Sequence, residues 1–132
     1  MKYMLDTNIC IYMIKNKPES VRRKFASLFS GDICMSSVTF FELEKGVLKS
    51  QQKEKNQVLL NRFADDVLVV PFDDSAAQGA ASVGALLEQR GQAIGPYDTL
   101  IAGHAMSLDL VLVTNNLKEF ERVAGLCCEN WV

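Results

Sequence analysis

The sequence predicts an α/β fold with three layers, in which helices cover both faces of a central parallel sheet of four to five strands. Short apolar segments alternate with longer segments of helical period along the 132 residues, and such alternation favours right-handed crossovers between parallel strands. Residues 110–113 are an unbroken apolar run, as expected for a strand that is covered on both faces. The chain shows no internal repeat or linker, so we expect a single domain over residues 1–132.

The four predicted strands are short apolar segments, each followed by a polar residue or by proline. Pro71 ends the third strand, because proline cannot donate a hydrogen bond to a neighbouring strand. The predicted strands are residues 2–5, 33–36, 67–70 and 110–113.

The helices are predicted from apolar side chains spaced three or four residues apart, together with capping residues and helix breakers. Thr7 or Asn8 can cap the first helix and Ser20 the second, while Pro96 begins the sixth. Gly91 is suited to the C-terminal cap of the fifth. The predicted helices are residues 9–15, 21–29, 37–49, 53–64, 75–91 and 96–108, with a short last helix after Asn116.

Composition and charge exclude several classes of protein. Fourteen Lys and Arg residues against sixteen Asp and Glu residues give a formal net charge of −2. This balance argues against a simple basic nucleic-acid-binding protein, but not against an enzyme whose carboxylates surround a metal ion. No apolar run approaches the length of a membrane span, and no secretory signal precedes Asp6, so we expect a cytoplasmic protein. The four cysteines lack the spacing of a zinc site.

Asp6 and Asp98 each have a structural and a metal-binding interpretation. Asp6 directly follows the first strand, and ligands of parallel sheets bind beyond the carboxyl ends of the strands; a helix N-cap is the alternative. Asp98 falls on the apolar face of its helix, beside Ala102 and Ala105. A carboxylate there is unfavourable unless it binds a metal ion or is stabilised by the helix N-terminus.

Glu42 and Asn116 also have two interpretations each. In the structural interpretation, Glu42 either completes a capping box that begins at Thr39 or pairs with Lys45. In the functional interpretation, Glu42 binds a ligand. Gly46, one turn further on, lowers helix stability and suggests a close approach to the helix at that point. Asn116, after the last predicted strand, is either a helix cap or an oxygen ligand.

Asp6, Glu42 and Asp98 lie on three separate elements that a parallel sheet can bring to one edge. Carboxylates packed together raise one another's pKa values, and a divalent cation compensates their charge. Oxygen ligands favour Mg²⁺, or Mn²⁺, over Zn²⁺, and His104, the only histidine, is interpreted as a packing residue. Such an ion polarises a phosphodiester and activates water, so we expect hydrolysis at phosphorus.

Four segments of the chain, in order and with matching spacing, resemble one known family. The segments KYMLDTNICIY, SSVTFFELEKG, GPYDTLIAGHA and LVTNNLKEFERVAGL are similar to those of the PIN domain, specifically of the VapC toxins of bacterial toxin–antitoxin pairs. The resemblance implies a magnesium-dependent endoribonuclease with catalytic, metal-binding acids at Asp6, Glu42 and Asp98. Family members often have a further acid where this chain has Asn116, so we expect one firmly held ion, a second ion recruited by the substrate, and an assisting role for Asn116.

The same resemblance implies a substrate and partners. The most similar VapC sequences cut initiator tRNA in the anticodon stem-loop, which implies that substrate here. The family also implies a homodimer, and a hetero-oligomer with an inhibitory VapB antitoxin. We expect the C-terminal segment of the antitoxin to insert Arg or Lys into the acidic groove.

A basic cluster near the first two helices has two interpretations. It contacts RNA phosphates beside the acidic pocket, or it is an ordinary solvated helix face. Its residues are Lys15, Lys17, Arg22, Arg23 and Lys24.

Two other functions are compatible with the sequence. One is a different metal-dependent phosphodiesterase or phosphoryl hydrolase, such as a DNA nuclease or a small phosphatase. The other is an inactive PIN-like module that binds RNA or a protein partner without turnover, which Asn116 makes conceivable.

Overall fold

Five parallel strands form the central sheet of the structure, a computed structural model that describes residues 1–132. The strands are β1 (Tyr3–Leu5), β2 (Ile33–Ser36), β3 (Leu68–Val70), β4 (Val111–Val113) and β5 (Cys128–Glu129). Their order across the sheet is β3-β2-β1-β4-β5, and every neighbouring pair is parallel. The predicted α/β class with a parallel sheet of four to five strands is confirmed.

Seven α-helices accompany the sheet. They are α1 (Thr7–Lys15), α2 (Glu19–Ala26), α3 (Ser37–Leu48), α4 (Lys53–Asp66), α5 (Asp74–Gln89), α6 (Pro96–Ser107) and α7 (Leu117–Phe120), and a short 3-10 turn covers Ser30–Asp32. None of these helices combines the length and the apolar character that a membrane span requires.

The two faces of the sheet are covered by two separate hydrophobic clusters. Because side chains alternate along a strand, Tyr3 and Leu5 of β1 join one cluster, whereas Met4 joins the other. The first cluster contains side chains of α1 to α4, and the second contains side chains of α5, α6 and α7. This arrangement gives the three predicted layers.

The functional edge of the sheet follows from the central position of β1. Tyr3 of β1 pairs with Ile33 of β2 on one side and with Val111 of β4 on the other. The chain segments that leave the carboxyl ends of these strands therefore meet at one edge of the sheet. Asp6 leaves β1 there, and its backbone N–H still donates to the carbonyl of Val113, at 3.0 Å.

Glycines bring the backbones of α5 and α6 into direct contact. A Cβ atom on Gly79 of α5 would lie 2.7 Å from the carbonyl oxygen of Gly103 of α6, a separation that real Cβ atoms essentially never show. Neither position has room for a larger residue. The contact fixes α6, which carries Asp98 in its first turn, against α5.

The structure differs from the predictions at three places. β5 was not predicted, because a strand of two residues is too short to display a periodic pattern. Thr7 and Asn8 lie inside α1 and do not cap it, because Asp6 is its N-cap, as the structural interpretation of Asp6 predicted. Helix α2 begins at Glu19 and ends at Ala26, so Ser20 lies inside the helix and does not cap it.

Candidate active site

Asp6 is buried at the turn from β1 into α1. Its side-chain oxygen accepts a hydrogen bond of 2.9 Å from the backbone N–H of Ile9, and only 4% of the residue is exposed. Burial raises the pKa of Asp6 to about 6, although hydrogen bonds from Thr114 and Ile9 oppose the shift; the charge of Glu42 raises the pKa further. Asp6 therefore caps its helix and also places an energetically costly carboxylate at the edge of the sheet.

Glu42 lies in the middle of α3 and faces the same edge. One of its carboxylate oxygens accepts a hydrogen bond of 2.7 Å from the Thr7 hydroxyl. The capping-box interpretation is wrong, because α3 already begins at Ser37 and the hydroxyl of Ser36 accepts from Val38 N–H instead. The pairing with Lys45 is also wrong, because no ion pair joins the two side chains.

Asp98 occupies the first turn of α6, close to Gly95 at the start of the helix. A Cβ on Gly95 would stand 3.4 Å from one Asp98 oxygen and 3.6 Å from a Glu119 oxygen. Burial is the largest cause that raises the pKa of Asp98 to about 7, followed by the charge of Glu119 and a hydrogen bond with that residue. The charges of Asp6 and Glu42 raise the pKa further, so each of the other three carboxyl groups influences Asp98.

Glu119 was missed by the sequence analysis. It lies in α7, and its two oxygens accept hydrogen bonds from Gly95 N–H at 2.7 Å and from the Asn116 side-chain amide at 2.6 Å. The Gly95 hydrogen bond is the largest cause that lowers the pKa of Glu119. The available signal was its place three residues after Asn116 in a short helix, which puts the two side chains on one face.

Asn116 acts on this site through its neighbours. It is the N-cap residue of α7, which confirms the cap interpretation by position, although its side chain makes no capping hydrogen bond. Its backbone N–H donates to the buried Thr114 hydroxyl at 2.9 Å, and its amide holds Glu119. The Thr114 side chain also lowers the pKa of Asp6, so Asn116 and Thr114 connect two of the carboxylates.

The donor set fits a hard divalent cation. No group of three or more His, Cys, Asp or Glu residues in the structure is arranged to hold a metal ion without help. Mg²⁺ does not require such a group, because it retains several waters and binds proteins through one or two carboxylates and substrate oxygens. None of the four acids forms an ion pair, although the charge of Arg122 lowers the pKa of Glu119. The four acids are Asp6, Glu42, Asp98 and Glu119.

Comparison with known families explains this arrangement. A family model described as the PIN domain matches residues 3–126. The chain belongs to the PIN domain family. PIN domains are nucleases that generally depend on a divalent metal, so the predicted family is confirmed.

The relatives of this PIN domain are VapC proteins. It is 49% identical to a tRNA(fMet)-specific endonuclease VapC of Shigella flexneri, over 99% of this chain and 98% of the relative. A DNA-bound VapBC structure from Salmonella typhimurium superimposes with a TM-score of 0.95 at 45% identity, covering 100% of this chain and 99% of that one. VapBC2 of Rickettsia felis, bound to a DNA fragment from the promoter, gives a TM-score of 0.92 at 40% identity and covers 100% of both chains.

In the predicted basic cluster of this PIN domain, Lys15 lines the same groove as Glu42, whereas the other residues lie on α2 or just before it. Lys15 is the last of the nine residues of α1. It therefore lies about 12 Å along the helix axis from Thr7, the first residue. Arg22 and Arg23 pair with Glu19 at 3.5 and 3.1 Å. Lys24 pairs with Glu129 at 3.8 Å, and Lys17 is exposed in the turn before α2.

His104 is buried within the PIN fold, away from solvent. Its Nδ1 lies 2.8 Å from the hydroxyl of Ser36, and its ring packs edge-on against Phe72 with centroids 5.3 Å apart. Burial lowers the pKa of His104. The interpretation of His104 as a packing residue is confirmed, and its contacts place it behind the N-terminus of α3.

Proposed function

We propose that residues 1–132 form one PIN domain that acts as a magnesium-dependent endoribonuclease and as the toxin of a toxin–antitoxin pair. The observation that carries the proposal is the cluster of Asp6, Glu42, Asp98 and Glu119 at one edge of the sheet, none of which forms an ion pair. The substrate is initiator tRNA, cut in the anticodon stem-loop, because the chain aligns over nearly its full length with a tRNA(fMet)-specific endonuclease. Its site of action is the cytoplasm, where tRNA is found.

Each acidic residue has a distinct role in this proposal. Asp6 and Asp98 hold the principal cation, and their raised pKa values mean that binding displaces protons. Glu42 keeps one oxygen on Thr7, which leaves the other oxygen to orient the attacking water or to bind the metal. A divalent cation held there would polarise the scissile phosphate and make water a stronger nucleophile. The donors are all oxygen atoms, which favours Mg²⁺, with Mn²⁺ as a substitute.

Glu119 changes the expectation that the site lacks a fourth acid because residue 116 is an asparagine. The site has a fourth carboxylate although residue 116 is an amide, because Asn116 positions Glu119 through its side-chain hydrogen bond. Asn116 therefore assists without being a ligand, and Glu119 is available to a second ion that the substrate brings. The inactive-module hypothesis loses the observation that had motivated it.

An apolar groove beside the site suits the antitoxin. The groove has a volume of about 280 Å³, and its walls include Ile11 and Ile14 of α1, Leu43 of α3 and Leu59 of α4, with Glu42 at one end. A VapB-type antitoxin segment would place apolar side chains in this groove and an Arg or Lys against the carboxylates. VapBC complexes among the structural relatives support this partner, and the homodimer and the hetero-oligomer belong to the same proposal.

Cleavage of defined nucleic acids tests the activity. Purified chain is incubated with Mg²⁺ and either initiator tRNA, an elongator tRNA or single-stranded DNA of the anticodon-loop sequence, with and without EDTA, and the cut ends are mapped. We expect one cut in the anticodon stem-loop of initiator tRNA only, and none in EDTA. Cleavage of the DNA would indicate a different phosphodiesterase, and binding of tRNA without cleavage, even with Mn²⁺, would indicate an inactive module.

Matched variants test the assigned residues. Asp98→Asn and Asp6→Asn keep the shape of each side chain and remove its charge, and cleavage should fall by at least about a hundredfold while the protein stays folded. Asp65→Asn, on an exposed residue of α4, is the control and should cleave normally. Full magnesium-dependent cleavage by folded Asp98→Asn protein would refute the site.

A further inference from the structure

Two exposed aromatic rings adjoin the candidate active site. Phe41 directly precedes Glu42, and Tyr97 directly precedes Asp98, so each ring is next in sequence to one of the clustered acids. Their centroids lie 5.8 Å apart with the ring planes at 61°, although they come from α3 and α6. Phe41 is 49% exposed and Tyr97 is 39% exposed. We call these residues the aromatic pair.

Two lysines continue this surface along α3. Residues 41, 45 and 49 are spaced by four, which places Phe41, Lys45 and Lys49 along one side of the helix. The ammonium of Lys45 lies 5.9 Å from the centroid of the Phe41 ring. Both lysines are exposed, and neither belongs to any of the three ion pairs of the structure. Their positive charge is therefore available to an anion, unlike that of Arg22 and Arg23.

Gly46 lies between the aromatic pair and the two lysines, and no contact within the chain requires a glycine there. Gly46 lines a cavity of about 210 Å³ together with Glu42, Lys45, Lys49 and Tyr97. A Cβ at Gly46 would meet no atom within 4 Å, so no internal contact explains a glycine in the middle of a helix, where it weakens the helix. Close approach by a ligand does explain it.

We propose that the aromatic pair stacks on a nucleobase next to the scissile phosphate, and that Lys45 and Lys49 bind the phosphates of the RNA strand that leads to it. An unpaired loop nucleotide offers both an exposed base face and a phosphate, and proteins bind single-stranded RNA by this combination of stacking and charge. The proposal rests on the ribonuclease activity proposed above. It assigns RNA binding to α3 and the start of α6, and not to the basic cluster of α1 and α2.

Steady-state cleavage of an anticodon stem-loop RNA tests the stacking. Tyr97→Ala and Phe41→Ala should each raise KM about tenfold or more, with little change in kcat, because the ring contributes to substrate binding. Tyr97→Phe retains the ring and should restore KM. Phe29→Ala removes a ring that is 82% exposed near the opposite edge of the sheet, so it is the matched control and should leave KM unchanged.

A binding experiment tests the same surface independently of cleavage. The stem-loop RNA carries 2-aminopurine beside the expected cut, and its fluorescence should be quenched on stacking against the wild-type chain and against Tyr97→Phe, but not against Tyr97→Ala. The slope of log Kd against log salt should shrink by about 0.7 for each lysine removed in Lys45→Ala and Lys49→Ala. Lys2→Ala, at the amino-terminal edge of the sheet, is the control for charge.

The possible outcomes separate this proposal from the proposed function. If the wild-type chain cuts no RNA, the proposed function fails, whereas quenching that depends on the Tyr97 ring still supports the binding surface. Unchanged KM and unchanged quenching in Tyr97→Ala and Phe41→Ala would overturn it. A loss of dimer in those variants, with RNA binding unchanged, would also overturn it and assign the aromatic pair to a contact between two copies of the chain.

Discussion

The charged residues of this chain occupy two regions in which charge has opposite consequences. On α2, Glu19 pairs with Arg22 at 3.5 Å and with Arg23 at 3.1 Å, and all three side chains are exposed. At the carboxyl edge of the sheet, Asp6 is buried and Asp98 is half-buried, and burial raises the pKa of both. The first region neutralises itself in water, whereas the second region concentrates negative charge where solvent is scarce.

The difference shows which charges depend on a partner from outside the chain. Exposed ion pairs contribute little to stability, because water already solvates both charges. Buried carboxylates without a basic neighbour destabilise the ionised fold, so a cation that binds them restores free energy. The net charge of −2 conceals this separation. The predictions below test the contrast, from the largest expected effect to the smallest.

Asp6 should make the metal-free protein less stable as pH rises. Its pKa is raised from 3.8 to about 6 in the fold, so the folded state binds more protons than the unfolded state between these values. The stabilisation from protonated Asp6 is complete below the unfolded pKa and is lost as pH rises through about 6. A shift of this size corresponds to roughly 3 kcal/mol.

Urea unfolding in EDTA measures this effect. The free energy of unfolding of the wild-type chain relative to Asp6→Asn should fall by roughly 3 kcal/mol between about pH 4 and pH 7.5. The amide still caps α1, which keeps the comparison matched. A difference that is constant with pH would show that Asp6 is not held in a destabilised ionised form.

Thr7 should matter for activity more than for folding. Its hydroxyl donates to Glu42 at 2.7 Å, and hydrogen bonds to charged groups contribute about 1.5–3 kcal/mol. Thr7→Val should lower kcat for RNA cleavage by at least about tenfold, and Thr7→Ser should restore most of it. Equal activity of the Val and Ser variants would remove Thr7 from the positioning of Glu42.

Gly46 should tolerate alanine in the fold. Nothing lies within 4 Å of an added Cβ, so Gly46→Ala should raise the free energy of unfolding by about 1 kcal/mol, measured by urea denaturation. Gly79→Ala is the contrasting control and should destabilise the protein, because its Cβ would meet the carbonyl of Gly103 at 2.7 Å. Destabilisation by Gly46→Ala would contradict the open cavity described at this position.

The ion pairs of α2 should have the smallest effect. Arg23 and Glu19 are exposed, so Arg23→Ala should change the free energy of unfolding by less than about 1 kcal/mol and less still in high salt. Thermal unfolding at two salt concentrations measures this. A large decrease in the free energy of unfolding that does not depend on salt would mean that α2 contributes to stability as strongly as the carboxylate edge does.

Sequence alone predicted the parts of this molecule that depend on periodic or local patterns. The parallel sheet and Asp6, Glu42 and Asp98 followed from strand ends, apolar faces and four recognisable segments. β5 was missed because two residues carry no period, and Glu119 because its importance depends on contact with Gly95, 24 residues away. Such contacts between distant residues leave no spacing signal.

Calorimetric titration of Mg²⁺ tests most directly the claim that the buried acids exist to hold a cation. The titration is performed at a pH between the pKa values of Asp6 and Asp98, about 6 and about 7, in two buffers with different ionisation enthalpies. The account predicts one firmly bound ion with release of protons in the wild-type chain and in Asp65→Asn, and loss of both signals in Asp98→Asn. Equal Mg²⁺ binding by Asp98→Asn, or binding without proton release, would contradict it.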